Sequence, residues 1–96
     1  MENFRIEQFD NLFRAVLKLK TVEECRNFFE DVCTIKELGD ITQRLEVSQL
    51  LHEGKSYQEV SALTGASTAT ISRVNKCLVY GAGGYQLVLQ NRKEGE

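Results

Sequence analysis

Three times along this chain a hydroxyl residue is followed, three positions later, by a glutamate: Thr21-Val-Glu-Glu24, Thr34-Ile-Lys-Glu37 and Ser56-Tyr-Gln-Glu59. Each has the form of a capping box. The hydroxyl accepts from one free N–H at a helix start and the glutamate accepts from another. Little else interrupts the chain. Its 96 residues contain no proline, and all seven glycines fall at or after Gly39. Proline is the residue that removes an i→i−4 hydrogen bond and breaks a helix, so its absence favours long uninterrupted helices.

The apolar spacing fills in the elements. Phe9, Leu12, Phe13, Val16 and Leu17 recur at intervals of three and four, which predicts an amphipathic helix over roughly 4–19. The Thr21 box opens a second helix with Val22, Cys25, Phe28, Phe29, Val32 and Cys33. The Thr34 box opens a third, with Ile35, Leu38, Ile41, Leu45, Leu50 and Leu51, which Gly54 is placed to stop. The Ser56 box opens a short fourth helix with Val60 and Leu63, ended by Gly65. Ser67 caps a fifth, whose apolar positions are Ala69, Ile71, Val74 and Leu78. Gly81-Ala-Gly-Gly84 breaks that helix. A last short helix is expected from Tyr85 to about Gln90, although Tyr85-Gln-Leu-Val-Leu also has the composition of a strand. Arg92 to Glu96 is expected to fray. The fold class is therefore all-α, about six helices in one domain over residues 1–96. Phe9, Phe13, Phe28 and Phe29 with the leucines are more apolar surface than one small core covers, so residues 1–53 are expected to be dimerisation helices, 54–80 a helix-turn-helix, and 81–96 a short C-terminal helix and tail.

Charge is divided unevenly. The net charge is −2. Residues 1–53 carry seven basic and eleven acidic side chains, whereas residues 54–96 carry five and three. From Gly54 to Tyr80 the only acid is Glu59, against Lys55, Arg73 and Lys76. This is a weakly basic C-terminal part on an acidic scaffold, well short of a polybasic arm. The three cysteines, Cys25, Cys33 and Cys77, have no C-x-x-C spacing and read as small core residues of a reduced, cytoplasmic protein. No apolar run is long enough for a membrane span. His52 is the single histidine, expected half-buried, and no second ligand stands at metal spacing. No paired carboxylates, nucleophile motif or phosphate loop points to an enzyme.

The stretch Ser56–Leu78 meets the demands of a DNA-reading helix-turn-helix. Two such helices cross at about 90–120° over a short turn. Gly65 supplies the tolerance for positive φ, Val60 and Ala66 the contact between helices, and Ile71 and Val74 an inner stripe at i, i+3. Thr64 stands where such motifs keep a large aliphatic, and Leu63 is expected to compensate. The expected DNA-binding residues are Ser56, Tyr57 and Gln58 at the first helix start, then Ser67, Thr68, Ala69, Thr70, Ser72, Arg73 and Lys76. Hydroxyls and a methyl suit base edges, cations suit phosphates, and free N–H groups at both helix starts suit phosphate oxygens. A solvated packing hairpin would carry Glu and Lys here rather than Ser and Thr, which are poor helix formers.

The run "GASTATISRVNKCL", with "YGAGGY" behind it and "LGDITQRLEVSQLLHEGKS" before it, resembles the Trp repressor superfamily, and within it the small Trp-repressor-like proteins of the YerC/YecD type. The resemblance is close over about residues 34–90 and looser before them. It implies an intertwined homodimer that binds double-stranded operator DNA with one helix-turn-helix per subunit. It also implies a corepressor seat between two arginines, which the motif match carries onto Arg44 and Arg73, with Cys77 beside them. An ion pair with Glu37, Asp40 or Glu46 is the competing use of Arg44. No cofactor or metal is expected. Tryptophan is disfavoured as the effector, because Val74 and Cys77 stand where the repressor has glycine and serine, and the valine branches crowd an indole.

The sequence thus reads as a homodimeric DNA-binding transcriptional regulator, a repressor, with no membrane partner. The alternative is a helical interaction dimer that has lost DNA binding, and the small basic excess is the feature in its favour.

Overall fold

A computed structural model describes the backbone of residues 2–94 and the side chains of residues 6–90. Among the described residues there are six helices and no strand: α1 (Glu2–Val16), α2 (Val22–Val32), α3 (Ile35–His52), α4 (Tyr57–Thr64), α5 (Thr68–Tyr80) and α6 (Gly84–Glu94). The chain divides after Leu38 into two compact units.

In the first unit the hydroxyl–glutamate pairs act as their spacing predicts. Thr21 caps α2 by accepting from the Glu24 N–H, and the Glu24 carboxylate returns to the Lys20 N–H, one residue before the cap. Thr34 accepts from the Glu37 N–H, and Glu37 accepts from the Thr34 N–H at 2.8 Å. Helix α1 stops short of the expected 19, and Lys18 and Leu19 close tighter turns onto Ala15 and Val16. Phe28 and Phe29 meet edge to face at 5.4 Å. No residue of α2 is fully buried, and Phe9 and Phe13 of α1 each keep 55% of their surface.

The second unit holds the core. Val47 of α3, Val60 of α4, Ala66 in the turn, and Ile71 and Val74 of α5 are buried together. Leu50, Leu51, Leu78 and Tyr85 pack around them. Five small or branched side chains, four from three helices and one from the turn, close a tight centre that leaves the opposite face of α5 exposed. Buried Ser48 satisfies its hydroxyl on the Leu45 carbonyl at 2.6 Å, so it costs no unpaired polar group. Gly54, at φ 91°, ends α3: its N–H returns to Leu51 O and the Lys55 N–H returns to Leu50 O. That pair of bonds is a Schellman motif, which serves orphan carbonyls and needs the left-handed residue glycine supplies.

Four expectations are corrected here. His52 is exposed, because the last turn of α3 points it to solvent before the Schellman reversal. Leu63 does not take the place of a large aliphatic at 64; it is 66% exposed. Ala69 lies on the outer rather than the inner face of α5. Finally, the helix expected from Tyr85 forms but is longer than expected: α6 runs from Gly84 to Glu94 rather than ending near Gln90. Its Leu89 is buried, so α6 is anchored by packing that five residues of alternating pattern could not reveal. Gly95 and Glu96 lie outside the described residues.

Candidate nucleic-acid interface

Helix α4 is set by its capping box. Ser56 Oγ accepts from the Glu59 N–H, and Glu59 accepts from the Ser56 N–H at 2.9 Å. The Ser56 backbone N–H first, and the Ser56 hydroxyl next, hold the Glu59 carboxyl below the ordinary glutamate range. The one acid of the motif is thereby turned inward on its own helix start. Ser56, Tyr57 and Gln58 are all exposed there.

The turn is braced by side chains as well as backbone. Gly65, at φ 75°, returns its N–H to Ser61 O. Thr64 Oγ1 donates to Val60 O at 2.7 Å and accepts from the Ala66 N–H at 3.1 Å. Ser61 Oγ donates to Ala66 O at 2.9 Å. From outside the motif, Gln43 of α3 donates to the Thr64 carbonyl at 3.2 Å. Threonine at 64 is therefore not a weakened aliphatic. Its hydroxyl knits the end of α4 to Ala66 in the turn.

Helix α5 starts at its cap Ser67, whose Oγ accepts from the Thr70 N–H and donates to Thr70 Oγ1, both at 3.1 Å. Thr70 is half-buried beside this pair. Ile71 and Val74 face the core. The periodicity of 3.6 then aligns Ala69, Ser72, Arg73 and Lys76 (i, i+3, i+4, i+7) as one outward stripe, and all four are exposed, as are Ser67 and Thr68. The helix ends at Gly81, and a Cβ there would collide with the Cys77 carbonyl oxygen. From α6, Gln86 Nε2 donates to the Leu78 carbonyl at 3.2 Å.

Of the three residues expected around an effector, two share a cleft and one lies outside it. Arg44, half-buried, and Cys77 line a cleft of about 630 Å³ with Ile41, Leu45, Tyr85 and Val88. Arg73 does not line it and is exposed on the stripe of α5. Val74 belongs to the core and not to the cleft walls. The bracing residues Gln43, Ser61 and Gln86 escaped the sequence reading. Ser61 was legible in principle, as a hydroxyl four residues before a turn glycine. The reaches of Gln43 across 21 residues and of Gln86 across eight leave no local pattern.

Among the described residues no group of His, Cys, Asp and Glu is arranged to hold a metal, and no helix is long and apolar enough to cross a membrane.

A six-helix chain with this helix-turn-helix is similar to known proteins along nearly its whole length. The family described as Trp repressor protein matches residues 7–93, and the chain belongs to that family. The fold is that of a non-enzymatic regulator. The uncharacterized protein YerC of Bacillus subtilis (strain 168) is 48% identical over 96 residues, covering all of this chain and 92% of that protein. The crystal structure of a TrpR-like protein from Eubacterium eligens ATCC 27750 superposes with a TM-score of 0.90 at 44% identity, over 97% of this chain and 96% of that one. A candidate Trp repressor from Staphylococcus aureus gives a TM-score of 0.89 at 40% identity, over 96% and 92%.

Proposed function

We propose that this protein is a sequence-specific DNA-binding transcriptional regulator, a repressor, acting as a homodimer in the bacterial cytoplasm. The observation that carries the reading is the outward stripe of α5. A methyl, a hydroxyl and two cations are exposed in register on a helix whose inner face is locked by Ile71 and Val74. Ala69 and Ser72, with Thr68 beside them, are short enough to approach base edges in a major groove, and ordered water fills the gaps that short side chains leave. Arg73 and Lys76 serve phosphates, as do Ser56, Tyr57, Gln58 and Ser67 at the two helix starts. Thr70 acts through Ser67, keeping the cap formed.

Homodimerisation is supported by apolar surface that one chain leaves open. Ile6, Phe9 and Phe13 of α1, and Leu17 just after it, are each more than half exposed, as are Val22 and Val32 of α2 and Ile35. Monomers rarely leave such patches to water, and a second copy is the economical cover. In this reading residues 1–53 pair the subunits, 54–80 meet DNA, and 81–96 complete the scaffold.

Selection of bound duplexes from a random pool tests the function. A two-fold dimer with reading helices about 34–36 Å apart selects a near-palindrome. Failure to retain any duplex at low salt favours the alternative, an interaction dimer without DNA binding.

A second reading adds an effector. The cleft supports it, being apolar with one guanidinium, Arg44, at its wall. That chemistry suits an apolar molecule bearing a carboxylate. A thermal-shift screen with indoles and amino acids tests it, and no stabilisation by any of them counts against an effector.

A further inference from the structure

We infer that Gln43 and Gln86 are positioning residues, a pair of amide clamps that fix the angle at which the helix-turn-helix is held between α3 and α6; this rests on the DNA-binding reading above. Two separate observations meet in the same pattern. Gln43 of α3 donates to the carbonyl of Thr64, the last residue of α4. Gln86 of α6 donates to the carbonyl of Leu78, in the last turn of α5. Each carbonyl is one of the four that a helix end leaves without an intrahelical partner. Each glutamine is half-buried, so its amide is partly withdrawn from competing water. Thus both helices of the motif have a C-terminal carbonyl taken by a flanking helix outside it.

The apolar core alone does not fix this angle. Val47, Val60, Ile71 and Val74 are compact, branched side chains that hold the helices close. Apolar contact is non-directional, so small rotations cost it little. Hydrogen bonds lose strength steeply with misalignment, so a donor at each end resists rotation. Thr64 and Ser61 reinforce the first clamp by fixing the turn that carries the Thr64 carbonyl. A reading helix is useful only when its stripe meets base edges at one orientation, whereas phosphate attraction tolerates several. The clamps therefore act on the ratio of specific to non-specific affinity rather than on DNA affinity as a whole.

The test uses the full-length protein and the duplex it selects from a random pool. Gln43→Leu removes the donor and keeps the bulk. Gln43→Glu keeps the shape but offers the Thr64 carbonyl only an acceptor. Both variants should lower the ratio of selected-duplex to random-duplex affinity by about tenfold, the scale of one lost hydrogen bond with its carbonyl left unpaired. Random-duplex affinity in Gln43→Leu should stay within about threefold of the natural protein. In the absence of DNA, hydrogen exchange should rise at Gly65 and Ala66 in both variants and stay unchanged at Val74. Gln86→Leu should give the same fall in ratio, with faster exchange confined to the end of α5. An unchanged ratio in Gln43→Glu would overturn the proposal, because it shows the donor is dispensable. So would equal losses on selected and random duplexes, which mark a general loss of structure. A natural protein that selects no duplex defeats the DNA-binding reading itself and the proposal with it, a failure seen before any variant is made.

Discussion

Lys76 lies two turns into α5 and Ser72 one, and that depth decides what each side chain can report. Lys76 is long, exposed and two turns from the N-terminal end of α5, so in the proposed DNA complex it would meet phosphate rather than bases. Lys76→Ala should weaken binding to all duplexes about equally and reduce the salt slope by roughly one, as a titration over salt concentrations would show. Ser72 shares the stripe with Ala69 and has an exposed hydroxyl. Ser72→Ala should change the preferred base at one position, by about 1–3 kcal/mol, in a repeat of the duplex selection. Thr70→Ala should leave that preference in place, because its hydroxyl already accepts from Ser67. If Thr70→Ala shifts the preference and Ser72→Ala does not, the stripe has been assigned to the wrong residues. Sequence alone named every one of these residues and gave hydroxyls, Thr70 among them, to bases and cations to phosphates, but it did not set Thr70 apart from Ser72. Only burial and the Ser67 bond distinguish Thr70 from Ser72. Val74 shows the same limit: its place on the inner stripe was legible and the core holds it, but that it stays out of the cleft walls was not.

Helices in this chain are legible because their ends are written in local chemistry. A hydroxyl and a glutamate three apart, or a glycine that must take positive φ, act within one turn, so Thr34, Ser56, Gly54 and Gly65 fall where the pattern put them. What lies between distant elements, such as the length of α6 or the reach of Gln43, depends on packing that no short window contains. The capping boxes also set a pH dependence. Glu37 and Glu59 are both held below the ordinary glutamate value, first by the backbone N–H and then by the hydroxyl of Thr34 and Ser56 respectively. A carboxyl with a lowered folded-state value contributes stability that is complete above the unfolded value and is lost as pH falls through the folded one. The melting temperature of the natural protein should therefore exceed that of Glu37→Ala/Glu59→Ala at neutral pH. The gap should close on acidification, below the usual glutamate range. A gap that persists unchanged in acid would mean the two carboxylates do not act through their charge. At the turn, Gly65→Ala meets no neighbouring atom, yet it must hold φ 75°. Thermal unfolding should report a cost of about 1–2 kcal/mol from the backbone alone.

At the scale of the whole molecule the question is what covers the first unit. A helix normally hides its apolar stripe, and here α1 leaves Phe9 and Phe13 each 55% exposed, with Leu17 just after it 81% exposed. Among the described residues the buried core lies in the second unit, and the apolar stripe of the first stays open. A second copy brings the same stripe, and a two-fold axis lets identical apolar faces meet. Sedimentation equilibrium should therefore find a dimer across the micromolar range, with no folded monomer at concentrations where helix content is intact. Phe13→Asp should abolish both together, giving unfolded or aggregated protein, because an unpaired charge in a buried interface costs several kcal/mol. Lys18→Asp, on the exposed end of the same segment, is the control for charge as such and should leave dimer and fold in place. A natural protein that sediments as a folded monomer, or a Phe13→Asp variant that stays folded and dimeric, would mean that the open face of α1 is not where the subunits meet.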